Sequence, residues 1–188
     1  MRVISGKFKT KPLYSPKGDK IRPTSDRIKE TLFNSLYSLI SLENAKVLDL
    51  FCGSGALGIE TLSRGASHAT FIDISNDSLV LTKKNIEFVN ADKNSYSIYK
   101  ADYKFALKKL TGNQFNIIFI DPPYDFKCEM EVINLILSNN ILSSSGIIII
   151  EHDTKNLLDN LDCSKLNLIK SSKVCGNTTL TFIKKDDN

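Results

Sequence analysis

Asp121-Pro122-Pro123-Tyr124 is the stretch of this 188-residue chain best equipped for chemistry. It follows the apolar run Phe115-Asn-Ile-Ile-Phe-Ile120. Consecutive prolines lack the N–H that a sheet ladder needs, so a strand must stop there and the chain turn rigid. A carboxylate, a carbonyl oxygen and an aromatic ring are thereby fixed together at a strand end. A turn that only redirects the chain is the plainer alternative, but such a turn seldom needs all three groups. A second group, Gly53-x-Gly55-x-x-Gly58, follows another short apolar run, Val47 to Phe51, and opens a segment carrying Leu57, Ile59 and Leu62. Strand, glycine turn and helix is the arrangement that lets a nucleotide-type ligand lie directly on the backbone. The glycines by themselves would equally suit a turn with no ligand.

Acidic residues sharpen the glycine pattern. Asp49 stands at the end of the first run, where a bare carboxylate must find a partner. Asp73 ends the next apolar run, Ala69-Thr-Phe-Ile-Asp-Ile74, at about the 20-residue spacing of a ribose-binding acid. Asp102 ends a third, Tyr96-Ser-Ile-Tyr-Lys-Ala-Asp102; it either accepts from an adenine amino group or caps the helix expected over Tyr103 to Leu110. In an open parallel sheet such strand ends line the binding crevice. A pyrophosphate would not favour an acid so close to its turn. A cationic or zwitterionic ligand would, and S-adenosylmethionine carries both a sulfonium and an ammonium.

The remaining elements position these groups. Arg2 to Gly6 and Lys11 to Ser15 read as two short strands, a ribbon lying over the main body. Pro23 keeps Arg22 extended, and Thr24 or Ser25 can cap the helix that follows, with Asp26 in its first turn. That helix carries an apolar stripe of Ile28, Leu32, Phe33, Leu36, Leu39 and Ile40. Arg22 and Arg27 flank the cap; they either hold phosphates or pair with Asp26 or Glu30. Ser75-Asn-Asp-Ser78 starts another helix, with Leu79, Ile86 and Val89 on its buried side. A further helix with Val132, Ile133 and Ile136 precedes the fully buried strand Gly146 to Glu151. Leu166–Lys173 and Thr178–Lys185 form a closing hairpin around Cys175-Gly-Asn177.

Composition narrows the class. With 41% hydrophobic residues the chain can bury one core, and no run of eighteen apolar residues suggests a membrane span. The first residues lack an apolar signal region, so a cytoplasmic protein is expected. Cys52, Cys128, Cys163 and Cys175 are far apart and only two histidines occur, which disfavours disulfides and metal sites. The net charge is +4, and residues 1–30 hold nine Lys/Arg against three Asp/Glu. A basic arm on a near-neutral body is the footprint of a nucleic-acid partner, although a solvated tail would look similar.

Asp49-Leu-Phe-Cys-Gly-Ser-Gly55 and Asp121-Pro-Pro-Tyr124 together resemble class I S-adenosylmethionine-dependent methyltransferases acting on amino groups. Arg2-Val-Ile-Ser-Gly6, Arg22-Pro-Thr-Ser-Asp-Arg27, Glu30-Thr-Leu-Phe-Asn34 and Leu57 to Gly65 are similar to the RsmD family, which methylates the exocyclic N2 of guanine 966 in 16S ribosomal RNA. The resemblance runs from Met1 to the closing hairpin. It implies a Rossmann-like α/β fold: a seven-stranded, mostly parallel sheet with helices on both faces, one antiparallel strand and an N-terminal β-hairpin. Residues 1–22 would be the basic extension and 23–188 the methyltransferase domain. It also implies that Asp49, Phe51, Cys52, Gly53, Gly55, Asp73, Ile74, Asp102 and Tyr103 hold S-adenosylmethionine. Asp121 and the Pro122 carbonyl would take the substrate amine, and Tyr124 would stack on the base. Arg2, Lys7, Lys9, Lys11, Arg22, Thr24 and Arg27 would contact 16S ribosomal RNA, free or in a small subunit. No metal is implied, and a monomer is the default expectation.

The chemistry suits these residue types. The guanine N2 lone pair is delocalised, so two acceptors on its N–H bonds would favour a pyramidal nitrogen and stabilise the positive charge that develops. With an unperturbed carboxyl pKa of about 3.9, Asp121 reads as a hydrogen-bond acceptor first, since no strong base is required. Three rivals share parts of the pattern: an adenine-N6 methyltransferase, an NAD-dependent oxidoreductase and a non-catalytic RNA-binding module. The first differs only in its product, the second lacks a hydride-handling site after Asp121, and the third leaves Asp121 and Tyr124 without a task.

Overall fold

A computed structural model describes residues 1–15, 26–123, 126, 128–155, 163, 166 and 168–186. Among these the chain forms, in order, α1 (Asp26–Leu39), β1 (Lys46–Leu50), α2 (Ala56–Ser63), β2 (His68–Asp73), α3 (Asn76–Val89), β3 (Tyr96–Lys100), α4 (Tyr103–Lys109), β4 (Phe115–Ile120), α5 (Glu129–Ser138), β5 (Leu142–Asp153), β6 (Leu168–Cys175) and β7 (Thr178–Lys185). The strands make one sheet in the order β3-β2-β1-β4-β5-β7-β6. β7 runs antiparallel to β5 and β6, and the other neighbours pair in parallel. This is the seven-stranded, mostly parallel α/β sheet that the resemblance implies.

The strand order reverses between β1 and β4, which pair up to Leu50 and Ile120. Connections leaving the two strands go to opposite faces, so a crevice opens at their carboxyl ends. Alternation along the strands feeds two cores. Val47, Ile117, Phe119 and Ile149 pack with Leu32, Phe33, Ile59 and Ile86 of α1 to α3. Leu48, Ile118, Ile120 and Ile148 pack with Leu107, Val132, Ile133 and Ile136 of α4 and α5. Among the described residues no helix is long and apolar enough to cross a membrane.

The N-terminal ribbon differs from its expected form. Instead of strands over residues 2–6 and 11–15, only one bridge forms, Arg2 to Pro12, supported by Val3 N to Lys11 O at 2.9 Å and Leu13 N to Met1 O at 3.0 Å. The reason is that its donors are committed to α2. Ile4 and Ser5 N–H groups donate to the Glu60 carboxylate at 2.8 and 3.0 Å, Lys7 N to Ser63 O at 2.8 Å and Phe8 N to Ser63 Oγ at 2.9 Å. Gly6, at φ 83°, passes so close that a Cβ would sit 1.8 Å from Ser63 O, and no other residue fits. Val3, Phe8 and Leu13 then enter the same core as α1 to α3. The expected domain boundary after residue 22, and the capping residues Thr24 and Ser25, lie outside the described residues.

Glu60 is the hub of this joint. Lys29 Nζ of α1 lies 3.3 Å from it and also donates to Arg2 O, while Arg64 Nε lies 2.8 Å away. Both Glu60 and Lys29 are fully buried. Burial lowers the Lys29 pKa, and the Glu60 charge works against that shift. Glu60→Ala leaves two amides and two cations without their acceptor, so it should cost about 3–5 kcal/mol in urea denaturation. Lys83→Ala, which breaks an exposed 4.0 Å pair with Glu87, should change the same measurement by less than about 1 kcal/mol.

Candidate active site

The turn after β1 is wound tightly and braced on every side. Phe51, Gly53 and Gly55 have φ of 65°, 54° and 74°. Cys52 N donates to Ile72 O at 3.0 Å, and Gly55 N to Cys52 O at 2.7 Å. Asp73 Oδ2 accepts from Gly53 N at 3.0 Å while Oδ1 accepts from Ser75 N at 2.8 Å. From α3, the Thr82 hydroxyl donates to Gly53 O and the Asn85 amide to Ser54 O, each at 2.9 Å. Gly58 supplies closeness rather than curvature: a Cβ there would lie 2.3 Å from Cε1 of Phe71 and 3.1 Å from Asp49 Oδ2. Only glycine lets α2 settle on the sheet at this point.

Acids gather at the adjoining strand ends. Asp49 is 2% exposed, and its Oδ2 accepts from Gly58 N at 2.9 Å. Burial pushes its carboxyl up to about 7; the Gly58 amide opposes this and Asp73 adds to it. Asp121 follows Ile120, which pairs with Leu50 on one side and Ile150 on the other. Its carboxyl is raised well above the usual range, by burial first and then by the nearby charges of Glu151 and Asp49. The expectation of an ordinary pKa for Asp121 is therefore corrected: three neighbouring strands deliver Asp49, Asp121 and Glu151 to one edge.

An aromatic cluster holds the Asp121 loop against the glycine turn. Phe51 lies 5.6 Å from the Tyr103 ring and 6.3 Å from Phe126, and Tyr103 lies 5.9 Å from Phe126, centroid to centroid. Phe126 N donates to Pro123 O at 2.8 Å. The Tyr103 hydroxyl donates to Glu131 Oε2 at 2.6 Å, and Lys104 Nζ approaches Glu131 Oε1 at 2.7 Å.

The structure thus brings Asp49, Phe51, Cys52, Gly53, Gly55, Asp73 and Asp121 together at the switch point. Pro122 is buried beside them and Tyr103 packs on Phe51. Ile74 is 65% exposed, just past Asp73. Asp102 is exposed and caps α4 by accepting from Lys104 N at 2.9 Å, so the capping alternative is realised. Of the arm residues, Lys7, Lys9 and Arg27 are exposed. Arg2 pairs with Asp26 at 3.0 Å, and Lys11 Nζ donates to Val89 O at 2.8 Å. Tyr124, Arg22 and Thr24 lie outside the described residues. Among the described residues no cluster of three His, Cys, Asp or Glu side chains could hold a metal ion.

Residues 1–184 match the family described as "Conserved hypothetical protein 95". "Ribosomal RNA small subunit methyltransferase D" of Escherichia coli (strain K12) is 36% identical over 156 residues, 83% of this chain and 76% of that protein. This chain belongs to the RsmD family. "Putative rRNA methyltransferase YlbH" of Bacillus subtilis (strain 168) is 38% identical over 157 residues, 81% of this chain and 83% of that protein. The solved structure "Putative methyltransferase yhhF from Escherichia coli" superposes with a TM-score of 0.85 at 32% identity, covering 100% of this chain and 99% of that one.

Several residues of this RsmD-family site escape a reading of the sequence. Glu151 ends the apolar run Ile147–Ile150 as Asp121 ends its own, and that parallel is the signal that marks it. Thr82 and Asn85 bear no local mark, because their partners lie about 30 residues earlier, at Gly53 and Ser54. The raised carboxyls set a pH dependence. From the ordinary 3.8 up to about 7, folded Asp49 holds a proton that the unfolded chain releases. The stability of the ligand-free protein should therefore fall as pH rises through that window and level off above it. Asp49→Asn keeps an acceptor for Gly58 N without the charge. Thermal melting at pH 8 should show it more stable than the parent, by on the order of a few kcal/mol.

Proposed function

We propose that this chain transfers a methyl group from S-adenosylmethionine to the exocyclic N2 of guanine 966 in 16S ribosomal RNA. It would act as a cytoplasmic monomer on the free RNA or on a small subunit. The observation that carries the reading is the parallel pairing of Leu50 with Ile120, which sets Asp121 beside the start of the glycine turn. Membership of the RsmD family supports rRNA methylation, and the residues at the turn fit the cofactor. Asp49, driven up to about 7 with Asp73 nearby, gains from a cationic neighbour. A Cβ on Gly53 would meet nothing closer than Phe51 O at 4.0 Å, so the turn presents bare backbone outward. Exposed Ile74 offers an apolar face for a purine.

When bound, S-adenosylmethionine supplies an electrophilic methyl group on its sulfonium. Asp49 and the Gly53–Gly58 turn hold the methionine end and Asp73 the ribose. Ile74 and the α4 start at Asp102–Tyr103 hold the adenine. Asp121 and the Pro122 oxygen accept the two N–H bonds of the guanine amine and aim its lone pair. Asp121 is half-buried, and its partial removal from water strengthens these bonds. Alignment of this kind is worth roughly 7–11 kcal/mol. The stacking role assigned to Tyr124 requires a base already outside its helix, as in an RNA loop.

An ionised Asp121 is the stronger acceptor for its N–H and the better partner for the positive charge that develops on the nitrogen. Because its carboxyl is raised, kcat/KM for RNA should climb with pH through that titration and then level off. Asp121→Asn should lose that limb and about 10²–10³-fold in kcat, with the affinity for S-adenosylhomocysteine little changed. An unaltered rate would remove Asp121 from the mechanism. Mass spectrometry of ribosomal RNA from a strain lacking the gene should show N2-methylguanine missing and restored by the gene. Loss of N6-methyladenine instead would overturn the choice of base.

A further inference from the structure

The arm ends on α3 in a way that its own bridge does not explain. Tyr14 N donates to Asn85 Oδ1 at 2.7 Å, and Tyr14 O accepts from Asn85 Nδ2 at 3.0 Å. The same Nδ2 reaches Ser54 O at 2.9 Å. Asn85 is fully buried, so one side chain locks the backbone of Tyr14 to the glycine turn. The Tyr14 ring nevertheless stays outside. It is 41% exposed and meets Phe88, itself 42% exposed, edge to face at 5.4 Å. Lys84 Nζ sits 3.6 Å from the centre of the Tyr14 ring. Lys11, bound to Val89 O at 2.8 Å, brings a second ammonium to the same end of α3. The nearby acid Glu87 has its own partner in Lys83.

We propose that Tyr14, Phe88, Lys84 and Lys11 form an RNA-binding platform, in which the rings take an unpaired base and the lysines its flanking phosphates. The proposal rests on the reading of the substrate as RNA and adds a place where that RNA lies. Half-exposed rings interleaved with lysines are the composition of a stacking surface for single-stranded nucleic acid. The platform continues the arm, whose Lys7 and Lys9 are exposed. Anchoring by Asn85 fixes its distance from the glycine turn, so a base held there sets the register of the strand that reaches the crevice. The excess of ammonium groups over free acids favours a polyanion over an apolar protein partner.

The test uses the full chain with deproteinised 16S ribosomal RNA and small subunits, both from a strain lacking the gene. In the double variant Tyr14→Ala/Phe88→Ala, KM for the methylated substrate should rise about tenfold or more. Its melting temperature and affinity for S-adenosylhomocysteine should match the parent, and Tyr14→Phe should behave as the parent. Lys84→Glu, an exposed change that leaves both rings in the chain, should weaken binding and flatten its salt dependence. p-Azidophenylalanine in place of Phe88 should cross-link to ribosomal RNA in either substrate. KM values within twofold of the parent, or a cross-link only to a ribosomal protein, would overturn the platform and leave the methylation reading standing. Absence of methyl transfer by the parent to both substrates would instead overturn the reading itself, and the platform with it.

Discussion

The hydrogen bond from Gly58 N to the buried Asp49 carboxylate, 2.9 Å long, is the contact on which the site depends. It sets the start of α2 directly against β1 and requires glycine at 58, because Phe71 fills the space a Cβ would need. The N–H belongs to the first turn of a helix, where amides lack intrahelical partners and the helix dipole favours negative charge. Those two effects make a buried anion tolerable. They do not make it comfortable, since its pKa still rises to about 7. A carboxyl held in such a place costs stability, as is common at functional sites.

α2 then serves a second purpose from its other side. Two residues beyond Gly58, Glu60 accepts the Ile4 and Ser5 amides and joins Lys29 and Arg64. One eight-residue helix therefore carries the glycine turn at its start and the basic arm along its flank. Ser54 adds a further link, through Asn85 to Tyr14. Residues 1–15 are consequently tied by their backbone to α2 and α3, through buried and part-buried polar contacts that are costly to leave unmade.

How much of this was legible in the sequence follows from how local each feature is. The glycine turn, the Asp121-Pro122-Pro123 break and the strands before them stand out because proline, glycine and apolar runs act within a few residues. The Ser75 cap of α3 and the turn at Gly176 belong to the same class. Asp102 remained divided between two roles because both are written in the same residue and its neighbours. The ribbon pairs over a shorter length than its sequence suggests, and the Glu60 carboxylate that takes two of its amides lies 55 residues from Ser5. Asn85 was invisible for the same reason, 71 residues from Tyr14. The ordinary pKa expected for Asp121 gives way to a raised one through burial first, and then through Glu151 and Asp49, which pairing of β4 with β5 and β1 brings near.

That cluster also weighs on which ligand the crevice accepts. A dinucleotide would lay a pyrophosphate over a turn that already engages two acids, Asp49 and Asp73, with Asp121 one strand away. Like charges in a dry site repel by several kcal/mol, and the α2 dipole is already engaged by Asp49. A sulfonium and an ammonium reverse the sign of that interaction, drawing Asp49 back toward ionisation. An amine gaining positive charge beside Asp121 would do the same a few ångströms further on. The acids at this edge are then ones whose ionisation a cationic donor and a cationic transition state would both favour, which is why methyl transfer to an amine suits it better than hydride transfer.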